Sequence, residues 1–174
     1  MKITALEEYG LRCVVCIAMR YRGEPLTVAE IAAREGLTIP HVAKLMTILR
    51  ERGLVDSVRG RGGGYVLTKP PAEISVDDVL SALGEPLFPT AYCDDHPGVL
   101  EVCRHQDECS IRSVWELLGQ MIHGVLRKTS IADLCRQAEL GQPVTPGGRA
   151  DLLEIARAPV PGPTPGEGGA GNNP

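Results

Sequence analysis

Apolar side chains in the first half of the chain recur at helical steps. Leu6, Tyr9, Gly10, Cys13, Val14, Ile17, Ala18 and Tyr21 fall at intervals of three and four, which predicts one buried helix face. Thr27-Val-Ala-Glu30 reads as a capping box that opens a short helix through Ile31 and Ala32 and closes at Gly36. Thr38 follows as an N-cap with Pro40 in the tolerant first turn, and the next helix is predicted through Val42, Leu45, Met46 and Leu49 to Gly53. Two helices joined across Glu35-Gly36-Leu37-Thr38 fit a helix-turn-helix. Leu54 to Val58 and Tyr65 to Leu67 then read as strands flanking Arg59-Gly-Arg-Gly-Gly-Gly64, a hairpin of the kind that forms a wing.

Ser75-Val-Asp-Asp78 caps a further helix that stops near Gly84. Residues 85–108 hold three prolines and show no helical period, so a structured loop is expected there. From Ile111 the apolar set Ile111, Val114, Trp115, Leu118, Met121, Ile122 and Val125 forms an a/d-like seam. That seam is longer than a small domain needs for its own core, which predicts a partner helix and a homodimer. Residues 141–174 contain 15 Gly or Pro, too little apolar surface to offset ordering entropy, and a disordered tail is expected. Within it residues 149–157 have the pattern of two helical turns. The expected architecture is mostly α. It comprises a winged helix-turn-helix domain over 1–84 with a two-stranded wing, a cysteine-rich loop over 85–109, a long dimerisation helix with a short helix after it over 110–140, and a tail over 141–174.

Charge sharpens the picture. The net charge of −4 divides into +4 over residues 1–70 and −8 over 71–174. A basic front end points to a polyanion, and aromatic residues at 3% are too few for a base-stacking platform, which favours duplex DNA over single strands or RNA. On the predicted recognition helix Thr38, Pro40, His41 and Lys44 lie near the N-terminus, where base edges are met; Thr38 and His41 can bond bases, and Lys44, Arg50 and Arg52 can reach phosphates. Arg59 and Arg61, on the glycine-rich wing tip, suit a minor groove. No apolar run approaches the ~20 residues needed to span a bilayer, and the N-terminus lacks a signal-peptide pattern. A cytoplasmic protein that is not an enzyme is expected.

Six cysteines in such a chain point to metal or thiol chemistry rather than disulfides. Cys93, Cys103 and Cys109 lie together in the loop, and thiolates are the ligands of iron–sulfur clusters or zinc. Zinc would recruit His96 or His105 as fourth ligand. Cys13-Val-Val-Cys16 has the spacing of a redox pair, the basis for an oxidoreductase or cluster carrier, but Cys13 falls on the core face of a helix; Cys13, Cys16 and Cys135 read as buried structural thiols. Glu8, taken alone, is a solvated surface acid.

Three stretches carry a resemblance: Met1-Lys-Ile-Thr4 with Tyr9-Gly-Leu-Arg12, Leu26-Thr-Val-Ala-Glu-Ile-Ala32, and Gly53-Leu-Val55 with Arg59-Gly-Arg-Gly-Gly-Gly-Tyr65. Over roughly residues 1–140 the chain resembles the Rrf2-type (IscR/NsrR-like) winged-helix, iron–sulfur-sensing bacterial transcription regulators. The resemblance implies a dimer with crossing long helices and a cluster held by the three loop cysteines of one subunit; repression is the expected output. In that family the fourth ligand is a histidine shortly after the last cysteine or an acid near the N-terminus of the other subunit. Here Arg112 stands three residues after Cys109, whereas the acid is present as Glu8. The resemblance therefore favours Glu8 as fourth ligand, with His105 as the alternative. The Cys93–Cys103 spacing is longer than usual in the family and leaves both 2Fe-2S and 4Fe-4S open. A zinc-bound or thiol-based regulator without a cluster is the other reading.

Overall fold

The computed structural model describes residues 3–21, 23–84, 99 and 109–140. The expected loop and tail, with Cys93, His96, Cys103, His105 and the helical turns at 149–157, lie outside the described residues. Helix α1 (Ala5–Ala18) is opened by Thr4, which exchanges hydrogen bonds with Glu7 in a capping box. It ends at Ala18, so Tyr21, which fits the periodicity, lies in the turn beyond it. Helices α2 (Val28–Glu35) and α3 (Ile39–Glu51) form the helix-turn-helix. Gly36 closes α2 in the left-handed region at φ 66°, a conformation that costs a glycine little because it has no Cβ. Thr27 and Glu30 complete the expected box, while Thr38 occupies the N-cap of α3 without a side-chain capping bond.

Strands β1 (Val55–Val58) and β2 (Gly64–Leu67) pair antiparallel, Val55 opposite Leu67 and Val58 opposite Gly64. Leu26 adds a bridge to Tyr65, through N–H···O bonds of 3.2 and 2.7 Å, and lashes the wing to the segment before α2. The approach is so close that a Cβ on Gly64 would sit 2.5 Å from the Leu26 carbonyl oxygen. A 3-10 turn (Pro71–Glu73) leads to α4 (Val76–Leu83), capped reciprocally by Ser75 and Asp78. The long helix α5 (Ser110–Lys128) and the short α6 (Ile131–Leu140) follow. This is the mostly helical winged-helix architecture that the hydrophobic pattern predicts. Among the described residues no helix is long and apolar enough to cross a membrane.

Helix α1 is packed by α2, α3, α4, α6 and β2. Cys13, Val14, Val42, Leu45, Met46, Leu49 and Val79 are fully buried in the core around it. The C-terminal part of α5 is anchored to this core in two ways. Val76 N–H donates to the Thr129 carbonyl and Ile131 N–H to the Ile74 carbonyl, each at 2.8 Å. Asp77, 7% exposed, faces His123 Nδ1 at 2.6 Å and accepts from Arg127 Nε at 3.0 Å. In the N-terminal part Ile111 and Val114 are 62% and 51% exposed, and Trp115, Leu117 and Leu118 are also exposed. Met121, Ile122 and Val125, further along the predicted seam, are half-buried.

Asp77→Ala removes the acceptor of both side-chain bonds. Hydrogen bonds to charged groups are each worth about 1.5–3 kcal/mol, and Arg127 is largely solvated, so a total loss of about 2–3 kcal/mol is expected. Urea unfolding measures it; a loss below about 0.5 kcal/mol would mean that the backbone bridge alone fixes α5.

Candidate nucleic-acid interface and metal centre

The buried face of α3 fixes which of its residues meet solvent. With Val42, Leu45, Met46 and Leu49 inward, Thr38, Pro40, Lys44 and Arg50 are exposed. His41 is half-buried and takes a different position from its neighbours. Its ring packs edge-on against Tyr9 of α1, centroids 5.4 Å apart at 77°. Arg12, one turn along α1, places its guanidinium 5.7 Å from the centroid of the same Tyr9 ring. Arg12 also donates from Nε to Glu35 Oε2 (2.9 Å) and from Nη2 to the Glu35 carbonyl (2.7 Å). A pair 23 residues apart leaves no local sequence signal, so this link from α1 to both helices of the motif is legible only in three dimensions.

Arg59 and Arg61 are exposed on the wing tip, where Gly60 and Gly62 take φ of 110° and 87°. Those angles allow a turn that a side chain would strain. Lys44, Arg50, Arg59 and Arg61 form no ion pair with any described residue. Cations without an ion-pair partner among the described residues are suited to phosphate.

Of the four expected metal ligands, Cys109 and Glu8 are described. Cys109 is the N-cap of α5, half-buried, its Sγ accepting the Arg112 N–H at 3.4 Å. The two adjacent acids of α1 differ sharply. Glu7 is 3% exposed; its carboxylate accepts from Thr4 N and Oγ1 at 2.7 and 2.8 Å and lies against Gly84. Glu8 is exposed, and its carboxylate holds no hydrogen bond to a described residue. The Thr4-x-x-Glu7 spacing is the sequence signal that tells the capping acid from the free one. As donors, a thiol at a helix end and a carboxylate without a hydrogen bond to a described residue are ligand types that both iron and zinc accept. Among the described residues no three His, Cys, Asp or Glu side chains converge.

Cys13 and Cys16 are buried. Burial, reinforced by the negative charge of Glu35, pushes the Cys13 thiol up to about 12 and Cys16 to about 11. Such thiols stay protonated near neutrality, and the thiolate is the reactive form; burial and the raised values together favour packing over redox chemistry for this C-x-x-C.

A family profile described as "Rrf2: Iron-dependent Transcriptional regulator" matches residues 3–137. The HTH-type transcriptional regulator IscR of Klebsiella pneumoniae (strain 342) is 31% identical over 140 residues, 80% of this chain and 83% of that protein. IscR of Serratia proteamaculans (strain 568) matches at the same identity and covers 82% of its own length. Among solved structures, IscR of T. potens superposes with a TM-score of 0.66 at 31% identity, covering 83% of this chain and 93% of that one. CymR (YrzC), the global cysteine regulator of B. subtilis, superposes with a TM-score of 0.65 at 30% identity, covering 78% and 97%.

The raised Cys13 value has a consequence for stability. Folding favours the neutral thiol, so its contribution is full below the ordinary value of 9.0 and is lost as pH rises from there through about 12. The urea midpoint is expected to decline over that window, and Cys13→Ala to decline less steeply. Parallel pH profiles for the two proteins would refute the assignment.

Proposed function

Since the chain belongs to the Rrf2 family of transcriptional regulators, we propose that it is an operator-binding homodimer whose DNA affinity is set by an iron–sulfur cluster. Cys93, Cys103 and Cys109 would hold the cluster with Glu8 of the partner subunit. The observation that carries this reading is the contrast on α1, where Glu7 is locked into the helix cap while Glu8 is exposed and its carboxylate bonds no described residue. The family's description as iron-dependent supports the choice of metal.

Thr38 and Pro40 serve at the major groove, with His41 behind them; Lys44 and Arg50 take phosphates, and Arg59 and Arg61 enter the neighbouring minor groove. The exposed apolar half of α5 supplies the dimer contact, because five large apolar side chains on one helix form a patch that a soluble monomer rarely leaves bare. When bound, the cluster supplies iron that responds to redox change, nitric oxide or iron supply. This chain's residues transmit its state. Glu8 precedes Tyr9, which touches His41 of the recognition helix, and Arg12 holds Glu35 at the turn of the motif. A shift of α1 therefore reaches α3 directly. Two recognition helices must match half-sites about 34–36 Å apart, or a multiple of that, so a small rotation alters operator affinity.

The likeness to a global cysteine regulator supports a second reading, a regulator that works through zinc or thiols with His96 or His105 as a ligand. Metal analysis separates the two. The anaerobically isolated protein is expected to contain iron and acid-labile sulfide and to absorb in the visible. That absorbance should vanish in Cys93→Ala, Cys103→Ala or Cys109→Ala and persist in Cys13→Ala. Zinc without labile sulfide would select the second reading. Glu8→Ala should keep apo-form DNA binding and shorten the lifetime of the cluster in air; if His105→Ala does this instead, the fourth ligand lies in the loop.

DNA binding offers an independent check. Removing Arg59 or Arg61 is expected to cost about 1–3 kcal/mol and blur sequence preference, while removing Lys44 or Arg50 should weaken binding to all sequences and flatten the salt slope by about one unit per phosphate contact. Equal operator affinity for the wild type and an Arg59/Arg61 double alanine variant would remove the wing from the interface.

A further inference from the structure

Between positions 38 and 47, helix α3 meets solvent at Thr38, Ile39, Pro40, Lys44 and Thr47. Ile39 stands out: it opens the helix and is 55% exposed, although isoleucine is a core-forming side chain. Single exposed apolar residues are common, so the exposure alone decides nothing. Its surroundings decide. Hydrogen-bonded readout of bases uses Arg, Lys, Asn, Gln, Asp, Glu, Ser or Thr, and of these only Thr38, Lys44 and Thr47 occur in the exposed set. Thr47 donates its hydroxyl hydrogen to the Ala43 carbonyl at 2.9 Å. Pro40 has no N–H, and the His41 ring lies against Tyr9. Thr38, which makes no capping bond, keeps its hydroxyl available.

The reading tip thus offers one hydroxyl, one ammonium and several aliphatic groups. In the major groove, the feature that matches aliphatic groups is the C5-methyl of thymine. The exposed cations Lys44 and Arg50 of the same helix, with Arg59 and Arg61 of the wing, provide the complementary charge for a DNA backbone. We infer that Ile39 is a specificity-determining residue that packs against a thymine methyl group, so that the operator half-site carries an A·T pair where Ile39 meets it. This inference rests on the operator-binding reading and not on the metal centre.

The test begins with selection of duplexes from a random library by the full-length protein. Each thymine of the selected duplex is then replaced singly by deoxyuridine, which removes the methyl and leaves the pairing edge intact. For the wild type, one thymine per half-site should lose about fourfold in affinity, the worth of about one buried methylene. Ile39→Ala should bind the unmodified duplex about fourfold or more weakly, with an unchanged salt slope, and should no longer distinguish thymine from deoxyuridine there. Wild-type indifference to deoxyuridine at every thymine overturns the inference, and it needs no variant. A deoxyuridine penalty that survives undiminished in Ile39→Ala also overturns it, because another side chain then reads the methyl. In both cases a selected operator leaves the regulator standing. Failure to enrich any sequence overturns the operator-binding reading and this inference together.

Discussion

Helix α1 has neighbours on most of its circumference, and this enclosure is the constraint on which the remaining structure depends. Helices α2, α3, α4 and α6 and strand β2 all pack on it. At Gly10 the Leu83 side chain comes so close that a β-carbon has no room. Close-packed interiors move as units rather than deforming locally. Fully burying a side chain such as Val14 or Ile17 is worth about 1.5–3 kcal/mol. A helix held by several such residues does not slide independently of the DNA-binding motif around it.

The enclosure gives meaning to the few polar groups of α1. Glu7 closes the helix's own cap, Glu8 faces water, Tyr9 reaches His41, and Arg12 reaches Glu35. Consecutive and near-consecutive residues thus divide the labour of folding, display and linkage. The separation follows from the 3.6-residue period, which points neighbours about a quarter turn apart. A helix with an outward acid and an inward tie to the recognition helix is mechanically suited to a sensor, whatever occupies the acid.

Helix α5 shows the converse arrangement. Its C-terminal half is fixed to α4 by the backbone bridge at Thr129 and Ile131 and by Asp77, while its N-terminal half carries exposed Ile111, Val114 and Trp115 away from that core. Cys109 caps this end. A second copy of the chain that covers the apolar stripe would bring a second DNA-reading unit and the cysteine-bearing end under one set of contacts. Burial of Asp77 makes the anchoring directional, since a carboxylate away from water holds its partners in a narrow geometry.

The sequence by itself determined the element order, the capping of α2 and α4, the glycine-rich wing and the core face of α3. Each of these is written in residues close along the chain, where periodicity, capping boxes and positive-φ glycines act locally. It also marked Cys13 as a core residue, because position on a helical face is a local property. Tertiary structure alone decided the rest. Burial of both Glu7 and Asp77, the turning of His41 toward Tyr9, the tie between Arg12 and Glu35, and the exposure of Ile39 all depend on residues distant in sequence. The Thr4-x-x-Glu7 spacing marks which of two adjacent acids caps the helix, but only the approach of Gly84 accounts for how deeply that acid is buried while its neighbour stays in water. The physical reason is that helical period fixes which side chains share a face, whereas the packing of other segments fixes which face is covered.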